Sequence, residues 1–412
     1  MKIILINKFF YLKGGSERAF FNQAEILRSR GHRVLFFSMR DERNFPCSES
    51  EFFVNNVDYN LPGSLKGDIS RSARILYSLE ARKKLSRLIS RERPQIAHLH
   101  NIHHQLSPSI IHALKERGIP VVMTLHDYKM VCPAYTLTRD GMICERCRGR
   151  QYYHCFLGRC TKGSRVKSLV NVIEMYLHHS IMRVYHLVDL FIAPSRFLAE
   201  KIKEMGFTGN ITYLPYPIDT REYDPVYGSA DNTICYFGRL SREKGLFTLL
   251  EAMKGVDATL KIIGDGPIRP ALEAIVKKEC LDNIIFLGYR SGPVLKQEII
   301  NSLAVIVPSE WYDNYPNVIM ESFALGKPVI GAGIGGIPEI VRDNETGLTF
   351  KSGDAGDLRS KIQVLLRDRD LVAELGTRAR NFVEENLNPE KYYSALIKVY
   401  QQAMEESSWK RR

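Results

Sequence analysis

The sequence predicts an α/β protein made of two facing units, each a parallel sheet with helices on both faces. Three observations predict it. A chain of 412 residues exceeds what one ordinary core of roughly 100 to 200 residues accounts for. Short apolar runs recur with helix-length segments between them, the alternation that builds parallel sheets. And the strand, loop, helix pattern that opens the chain starts again near residue 230.

The first strand is read at Ile3 to Ile6, followed by a loop holding Gly14-Gly15 and a helical pattern from Ser16 to Arg30. Ser16 is expected to cap that helix and Gly31 to stop it, before a second strand at Val34 to Phe37. Further strands are read at Ile96 to Leu99, Val121 to Leu125 and Leu190 to Ala193. After Tyr213-Leu214-Pro215-Tyr216-Pro217 and the turn-rich Asp224 to Asn232, a new strand at Thr233 to Phe237 leads through Gly238 to a helix near Leu246 to Met253. Strands at Thr259 to Ile263, Ile284 to Leu287, Ala304 to Val307 and Pro328 to Ile330 complete the second half. The division is placed at 1–216 and 217–412, with a Cys-rich insertion at 132–160 in the first domain. The amphipathic tail, about 390–405, is expected to form a helix packing back on the interdomain region. Open parallel sheets bind ligands outside the carboxyl ends of their strands, so two facing sheets would enclose a cleft.

Composition narrows the class. With 44% hydrophobic and 25% charged residues and no low-complexity tract, the chain reads as a soluble globule. The opening apolar stretch is far shorter than a signal-peptide core and no run approaches a membrane span, which points to the cytoplasm. Eight cysteines, five of them between Cys132 and Cys160, do not resemble a secreted disulfide framework. The formal charge is +12, and Lys66 to Arg93 holds nine Lys or Arg against Asp68, Glu80 and Glu92. That segment, 66–93, is either solvated helix surface or a patch drawn to an anionic membrane face or a lipid-phosphate-linked acceptor. No nucleic-acid partner is expected, because no recognition module accompanies the charge.

The most informative stretch runs from Pro308 to Ser322, through Asp313, Asn317, Val318 and Glu321, after a buried strand and into a helix. The free N–H groups and positive dipole end of such a helix attract phosphate oxygens. This stretch resembles glycosyltransferase family 4, retaining enzymes with the two-domain GT-B fold, whose two acidic residues are separated by seven others. Asp313 and Glu321 keep that spacing, with Asp where Glu is commoner at the first position. The resemblance implies that Glu321 binds a ribose diol and that Asp313 reaches sugar hydroxyls.

In the second motif, Phe237 to Gly245, a strand ends in a glycine and two cations, Arg239 and Lys244, follow five apart. The resemblance assigns them the donor diphosphate, where fixed cations stabilise the leaving group; the plain alternative is an ion pair between Lys244 and Glu243. Gly14 and Gly15 let backbone approach a ligand, and the family places this position at the donor. His126, in Thr124-Leu125-His126-Asp127, stands at a strand end where the family contacts the transferred sugar. His100-Asn101, at another strand end, could line the acceptor side. The histidines at 98, 100, 103 and 104 make no helix-spaced metal pair.

Gly264-Asp265-Gly266-Pro267 and Gly335-Gly336-Ile337-Pro338-Glu339 are weaker echoes of the family. Cys144, Cys147, Cys155 and Cys160 could hold a structural zinc, remain free thiols or pair as disulfides. The function implied is retaining transfer of a sugar from a nucleotide-diphosphate-sugar donor to a saccharide or lipid-linked acceptor, in cell-envelope or exopolysaccharide synthesis, with no metal or cofactor required for catalysis. A nucleotide-sugar epimerase of the same fold and a non-catalytic nucleotide-sugar-binding protein are the alternatives. A nicotinamide dehydrogenase is disfavoured, since no Gly-x-Gly-x-x-Gly follows the first strand.

Overall fold

The computed structural model describes residues 1–56, 73–228 and 231–409, so the part of the basic segment at 66–72 lies outside the described residues. The chain divides into two compact units. The first comprises Met1–Leu137, Glu145–Tyr216 and the chain from Tyr392 onward; the second comprises Thr138–Cys144 and Pro217–Lys391.

In chain order the first eight strands are β1 (Lys2–Ile6), β2 (Arg33–Phe37), β3 (Ile96–Leu99), β4 (Val121–Thr124), the hairpin β5 (Thr138–Arg139) and β6 (Met142–Ile143), β7 (Leu190–Ala193) and β8 (Ile211–Tyr213). The first unit holds a six-stranded sheet in the order β2-β1-β3-β4-β7-β8, parallel throughout. Ile3 to Ile6 are wholly buried. A strand covered on both faces needs a continuous apolar run rather than alternation, and that run is what the sequence displays.

The C-terminal helix, Pro389–Trp409, explains why the first unit reclaims the end of the chain. Its Tyr392, Leu396 and Tyr400 join a core with Ile3, Leu5, Phe20 and Leu27. Rings this large must satisfy their hydroxyls when buried. Gln23 Nε2 donates to Tyr400 Oη at 3.0 Å, and Tyr392 Oη donates to Gln23 Oε1 at 3.1 Å. From Tyr392 on, the helix therefore groups with the first unit.

The second sheet is built from β9 (Thr233–Phe237), β10 (Thr259–Ile263), β11 (Ile284–Gly288), β12 (Ala304–Val307), β13 (Val329–Ala332) and β14 (Gly347–Phe350). Its order is β11-β10-β9-β12-β13-β14, again parallel. The two strands of these sheets that the pattern did not announce, β8 and β14, are the last in each order. Edge strands have one open side and need less apolar sequence. One local expectation fails. Gly14, not Ser16, stands at the N-cap of helix Gly15–Ser29, with no side-chain cap bond. The Ser16 hydroxyl instead donates to Glu17 Oε1 at 3.1 Å. Gly31 does stop the helix, with a φ of 76° that favours glycine.

Denaturant titrations should show Tyr400→Ala lowering the stability of the first unit by about 3–5 kcal/mol, and Tyr400→Phe by about 1–3 kcal/mol through the lost hydrogen bond from Gln23 Nε2. A Tyr400→Ala protein as stable as the parent would mean the helix adds nothing to that core.

Candidate functional site

In the second sheet β9 lies between β10 and β12, so the loops leaving β9 and β12 diverge at the point where the strand order reverses. Such a point opens a crevice at the carboxyl ends of the strands. Both acidic and cationic candidates of the second unit lie there.

Backbone meets backbone at this edge. Gly238 (φ 150°) donates its N–H to Ile263 O at 2.9 Å. A Cβ on Gly264 would fall 1.9 Å from Gly238 O. Leu240 N donates to Asp265 O at 3.0 Å and Tyr236 Oη to Arg239 O at 2.8 Å. The backbone of Arg239 is thus held while its side chain stays exposed. Farther on, Gly245 (φ 70°) touches the loop after β12 so closely that a Cβ would lie 1.8 Å from Pro308 O. Glu310 N donates to Glu243 O at 2.9 Å, tying the two loops together.

The result is an ion pair. Lys244 Nζ sits 2.5 Å from Asp313 Oδ2, which also accepts from Ser309 Oγ at 3.0 Å. The ammonium lies 5.3 Å from the centre of the Trp311 ring. Asp313 is 7% exposed. On its other side, Gly336 N donates to Asp313 O at 2.7 Å, and a Cβ on Gly335 (φ 64°) would lie 2.4 Å from that same oxygen. The partner of Lys244 is therefore Asp313, not Glu243, whose Oε1 accepts from Ser241 Oγ. Sequence reasoning missed Ser309 and the support from Gly335-Gly336, although the glycine pair itself was a visible signal.

Asn317 and Val318 open helix Asn317–Ala324 behind Pro316, and no side chain caps its N-terminus. Glu321, one turn in, is half-buried. An exposed guanidinium, an ammonium and a helix N-terminus around one crevice favour an anion with several oxygens.

In the first unit the corresponding reversal lies between β1 and β3. Asn7, just after β1, is buried, and its Oδ1 accepts from Asn101 N at 3.0 Å. Gly14 is extended (φ −170°), and the first atom a Cβ there would meet is Glu17 Oε2 at 3.8 Å. Neither conformation nor packing within the unit calls for glycine at 14. Gly15 begins the helix.

His126, just past β4, is the end of a stack. His98, His100 and His126 lie ring on ring at 4.7 and 5.1 Å, and Tyr216 stacks on His126 at 5.8 Å. Tyr216 Oη is 2.6 Å from His126 Nδ1, and His126 Nε2 is 2.9 Å from His100 Nδ1. Whichever way the protons order along this chain, His100 Nε2 is left buried with no hydrogen-bond partner. Burial pushes His98 and His126 down to about 3 and His100 well below its ordinary value. The rings are thus neutral near pH 7, and His126 acts there as a hydrogen-bonding group, not a charged acid. Next to it, burial raises Asp127, while Lys129 N donates to its Oδ1 at 2.9 Å.

The four thiols do not assemble as the zinc reading required. Among the described residues no group of three or more His, Cys, Asp or Glu side chains could hold a metal ion. Cys144 ends the hairpin segment counted with the second unit, whereas Cys147, Cys155 and Cys160 belong to the first. None of the four is in a disulfide, and Cys155 Sγ lies 3.9 Å from Thr161 Oγ1. Among the described residues no helix is long and apolar enough to cross a membrane.

Acidification should reveal the histidine stack. The unfolded chain takes up protons below pH 6.5 while the folded stack does not until about pH 3, so stability falls as pH drops through that window. At pH 5 the loss is about 2 kcal/mol for His98 alone. Melting temperatures at pH 7.5 and 5 should show a smaller acid loss for His98→Asn than for the parent; equal losses would mean that His98 protonates in place.

Residues 13–222 match the description of glycosyltransferase family 4, and residues 220–382 match that of glycosyl transferases group 1. An uncharacterized glycosyltransferase of Methanocaldococcus jannaschii is 31% identical over 178 residues, 43% of this chain and 50% of that protein. The N-acetyl-alpha-D-glucosaminyl L-malate synthase of Bacillus anthracis is 24% identical over 79% of each chain. A capsular polysaccharide biosynthesis glycosyltransferase of Staphylococcus aureus is 24% identical over 68% of this chain and 73% of its own. Among solved structures, the sucrose-phosphate synthase of Thermosynechococcus elongatus superposes with a TM-score of 0.73 at 19% identity, covering 97% of this chain and 98% of the other. An Anabaena protein in complex with UDP and glucose gives 0.66 at 16% identity, covering 97% and 99%. These likenesses carry the two-domain GT-B fold over the whole chain.

Proposed function

The chain belongs to glycosyltransferase family 4, and on that premise we propose that it is a retaining enzyme whose second unit binds a nucleoside-diphosphate sugar. What supports the proposal is that Arg239, Lys244 and the N-terminus of helix Asn317–Ala324 all follow β9 and β12 at the strand-order reversal, with Lys244 paired to Asp313. The complex of the Anabaena neighbour with UDP and glucose supports a donor of this class.

In the proposed reaction the bond between the anomeric carbon and the diphosphate oxygen breaks, and the electron pair leaves with the diphosphate. Arg239, Lys244 and the helix N–H groups of Asn317 and Val318 stabilise that charge more as it develops than before. Lys244 exchanges Asp313 for a phosphate oxygen, and the released carboxylate accepts hydrogen bonds from sugar hydroxyls. Glu321 binds the ribose diol, Gly14 and Gly15 admit the diphosphate to the backbone, and neutral His126 contacts the sugar. The acceptor hydroxyl attacks the face the diphosphate leaves, and a phosphate oxygen takes its proton. An epimerase or a non-catalytic binding protein is not favoured by the family match.

The acceptor proposed is a saccharide or lipid-linked saccharide of the cell envelope, which the capsular relative supports. We extend the proposal to the inner face of a membrane. In the described part of the basic segment Arg74 and Lys84 pair with Glu80, Arg82 with Glu116 and Arg91 with Glu51. Lys83, Arg87 and Arg93 remain exposed and supply the attraction to anionic lipid.

Nucleotide release from a panel of UDP-, GDP-, ADP- and dTDP-sugars identifies the donor. With that donor, Arg239→Ala should lower kcat/KM by about 10²–10³-fold, the size seen when one fixed transition-state donor is removed. Near-parental turnover would sink the assignment of Arg239 to the leaving group.

A further inference from the structure

Helix Arg165–Tyr176, continued by a π turn at Leu177–Ile181, buries Val172 and Met175 but turns a second apolar stripe outward. Its buried side carries Ser168, Asn171 and Glu174, while Val166, Leu169 and Ile173 are 73%, 43% and 45% exposed. Positions 166, 169 and 173 fall on one face at helical spacing. Ile181 at the end of the π turn is 74% exposed, and Leu157, on the short helix Tyr153–Leu157 packed beside it, 64%.

What holds the helix this way round is a polar interior. Glu174 is wholly buried and its Oε2 lies 2.7 Å from Nζ of the buried Lys129 and 3.4 Å from His104 Nε2. Asn171 Nδ2 donates to Pro133 O at 3.2 Å and to Thr161 Oγ1 at 3.0 Å, and Thr161 N donates to Ser168 Oγ at 3.0 Å. Rotating the helix to bury Leu169 and Ile173 would strand the Lys129 ammonium and the Glu174 carboxylate in the interior, which is far costlier than leaving apolar side chains wet. The outward stripe is therefore a fixed feature of the fold.

The rim of the stripe has one sign. Arg159, Lys162, Arg165, Lys167 and Arg183 are all exposed. From Gly158 to Arg183 the only acidic residue is the buried Glu174. A second copy on a two-fold axis would set this cationic rim against itself. An apolar centre ringed by cations is instead complementary to a lipid interface, where anionic headgroups overlie an apolar layer.

We infer that the face of helix 165–181 with Leu157 is a docking surface for an anionic membrane, and that it is the element seated in the interface. The exposed cations of helix Leu79–Glu92 would then steer approach only. The inference does not depend on which donor the second unit takes, or on catalysis at all.

Co-sedimentation with phosphatidylcholine vesicles, with and without phosphatidylglycerol, tests it. The parent protein should pellet only with phosphatidylglycerol present. Leu169→Ser/Ile173→Ser should stay in the supernatant while releasing nucleotide from a soluble donor at the parental rate. Arg165→Gln/Lys167→Gln, which leaves the apolar stripe intact, should bind about thirtyfold more weakly. The inference is overturned if the parent does not pellet, or if Leu169→Ser/Ile173→Ser pellets like the parent while Lys83→Gln/Arg87→Gln does not. It is equally overturned if the parent is a dimer that Leu169→Ser/Ile173→Ser dissolves, since a second copy would then cover the face.

Discussion

The contact between Lys244 and Asp313 is the constraint around which the edge of the second sheet is arranged. Its partners leave different strands, β9 and β12, and reach each other because the loops between are locked by main chain. Gly245 against Pro308 O and Gly335 against Asp313 O leave no room for a side chain at either glycine. The pair is only partly shielded, with 24% and 10% of the two side chains exposed. It is therefore not held for its own stabilising effect, which at such exposure is modest. It keeps an ammonium and a carboxylate poised where an anion bearing hydroxyl groups can take one from each. A phosphate taking the ammonium would leave the carboxylate for hydroxyls, so neither charge would be stranded.

Much of the fold could be read from residues because buried parallel strands announce themselves. Ile96–Leu99, Leu190–Ala193, Thr233–Phe237 and Ala304–Val307 were read with the bounds the structure has, each apolar but for His98 and Thr233. Ile211–Tyr213 and Gly347–Phe350 were not, because a short strand on an open edge leaves no such trace. At the candidate site the residue types were visible while their pairings were not. The five-residue spacing of Arg239 and Lys244 suggests a loop of cations, yet only the positions of β9 and β12 in the sheet decide that Lys244 meets Asp313 rather than Glu243. The same holds for the histidines. His98, His100 and His126 stack because β3 lies beside β4 in register, His98 opposite Val122, and register between distant strands cannot be counted along a chain. The cysteine spacing misled because closeness along the chain does not make thiols converge: among the described residues no three His, Cys, Asp or Glu side chains gather as a metal site.

The two units treat charge in opposite ways. The second leaves Arg239 exposed and Lys244 half-buried at its strand ends, so positive charge remains available to a ligand. The first buries its ionised groups as a matched set, Lys129 with Glu174, and holds its histidines neutral. Near His126 the strand ends of the first unit thus carry uncharged rings and a phenol that hydrogen-bond to one another, with both nitrogens of His126 engaged.

That buried set also has an effect at a distance from the strand ends. Once Lys129 and Glu174 are sealed inside, the helix that supplies Glu174 is fixed with Val172 and Met175 buried beside that contact and Val166, Leu169 and Ile173 turned outward. In most surface helices the apolar stripe chooses the buried face and the charges follow. Here a buried polar set shares that choice with Val172 and Met175, because an unpaired buried charge outweighs several exposed methyl groups. An outward apolar stripe is then retained only where it is covered by something, or where exposure is tolerated at the surface. A rim of arginine and lysine without acidic residues distinguishes these, since charge of one sign around an apolar centre keeps copies of the chain apart while leaving the face open to an anionic layer.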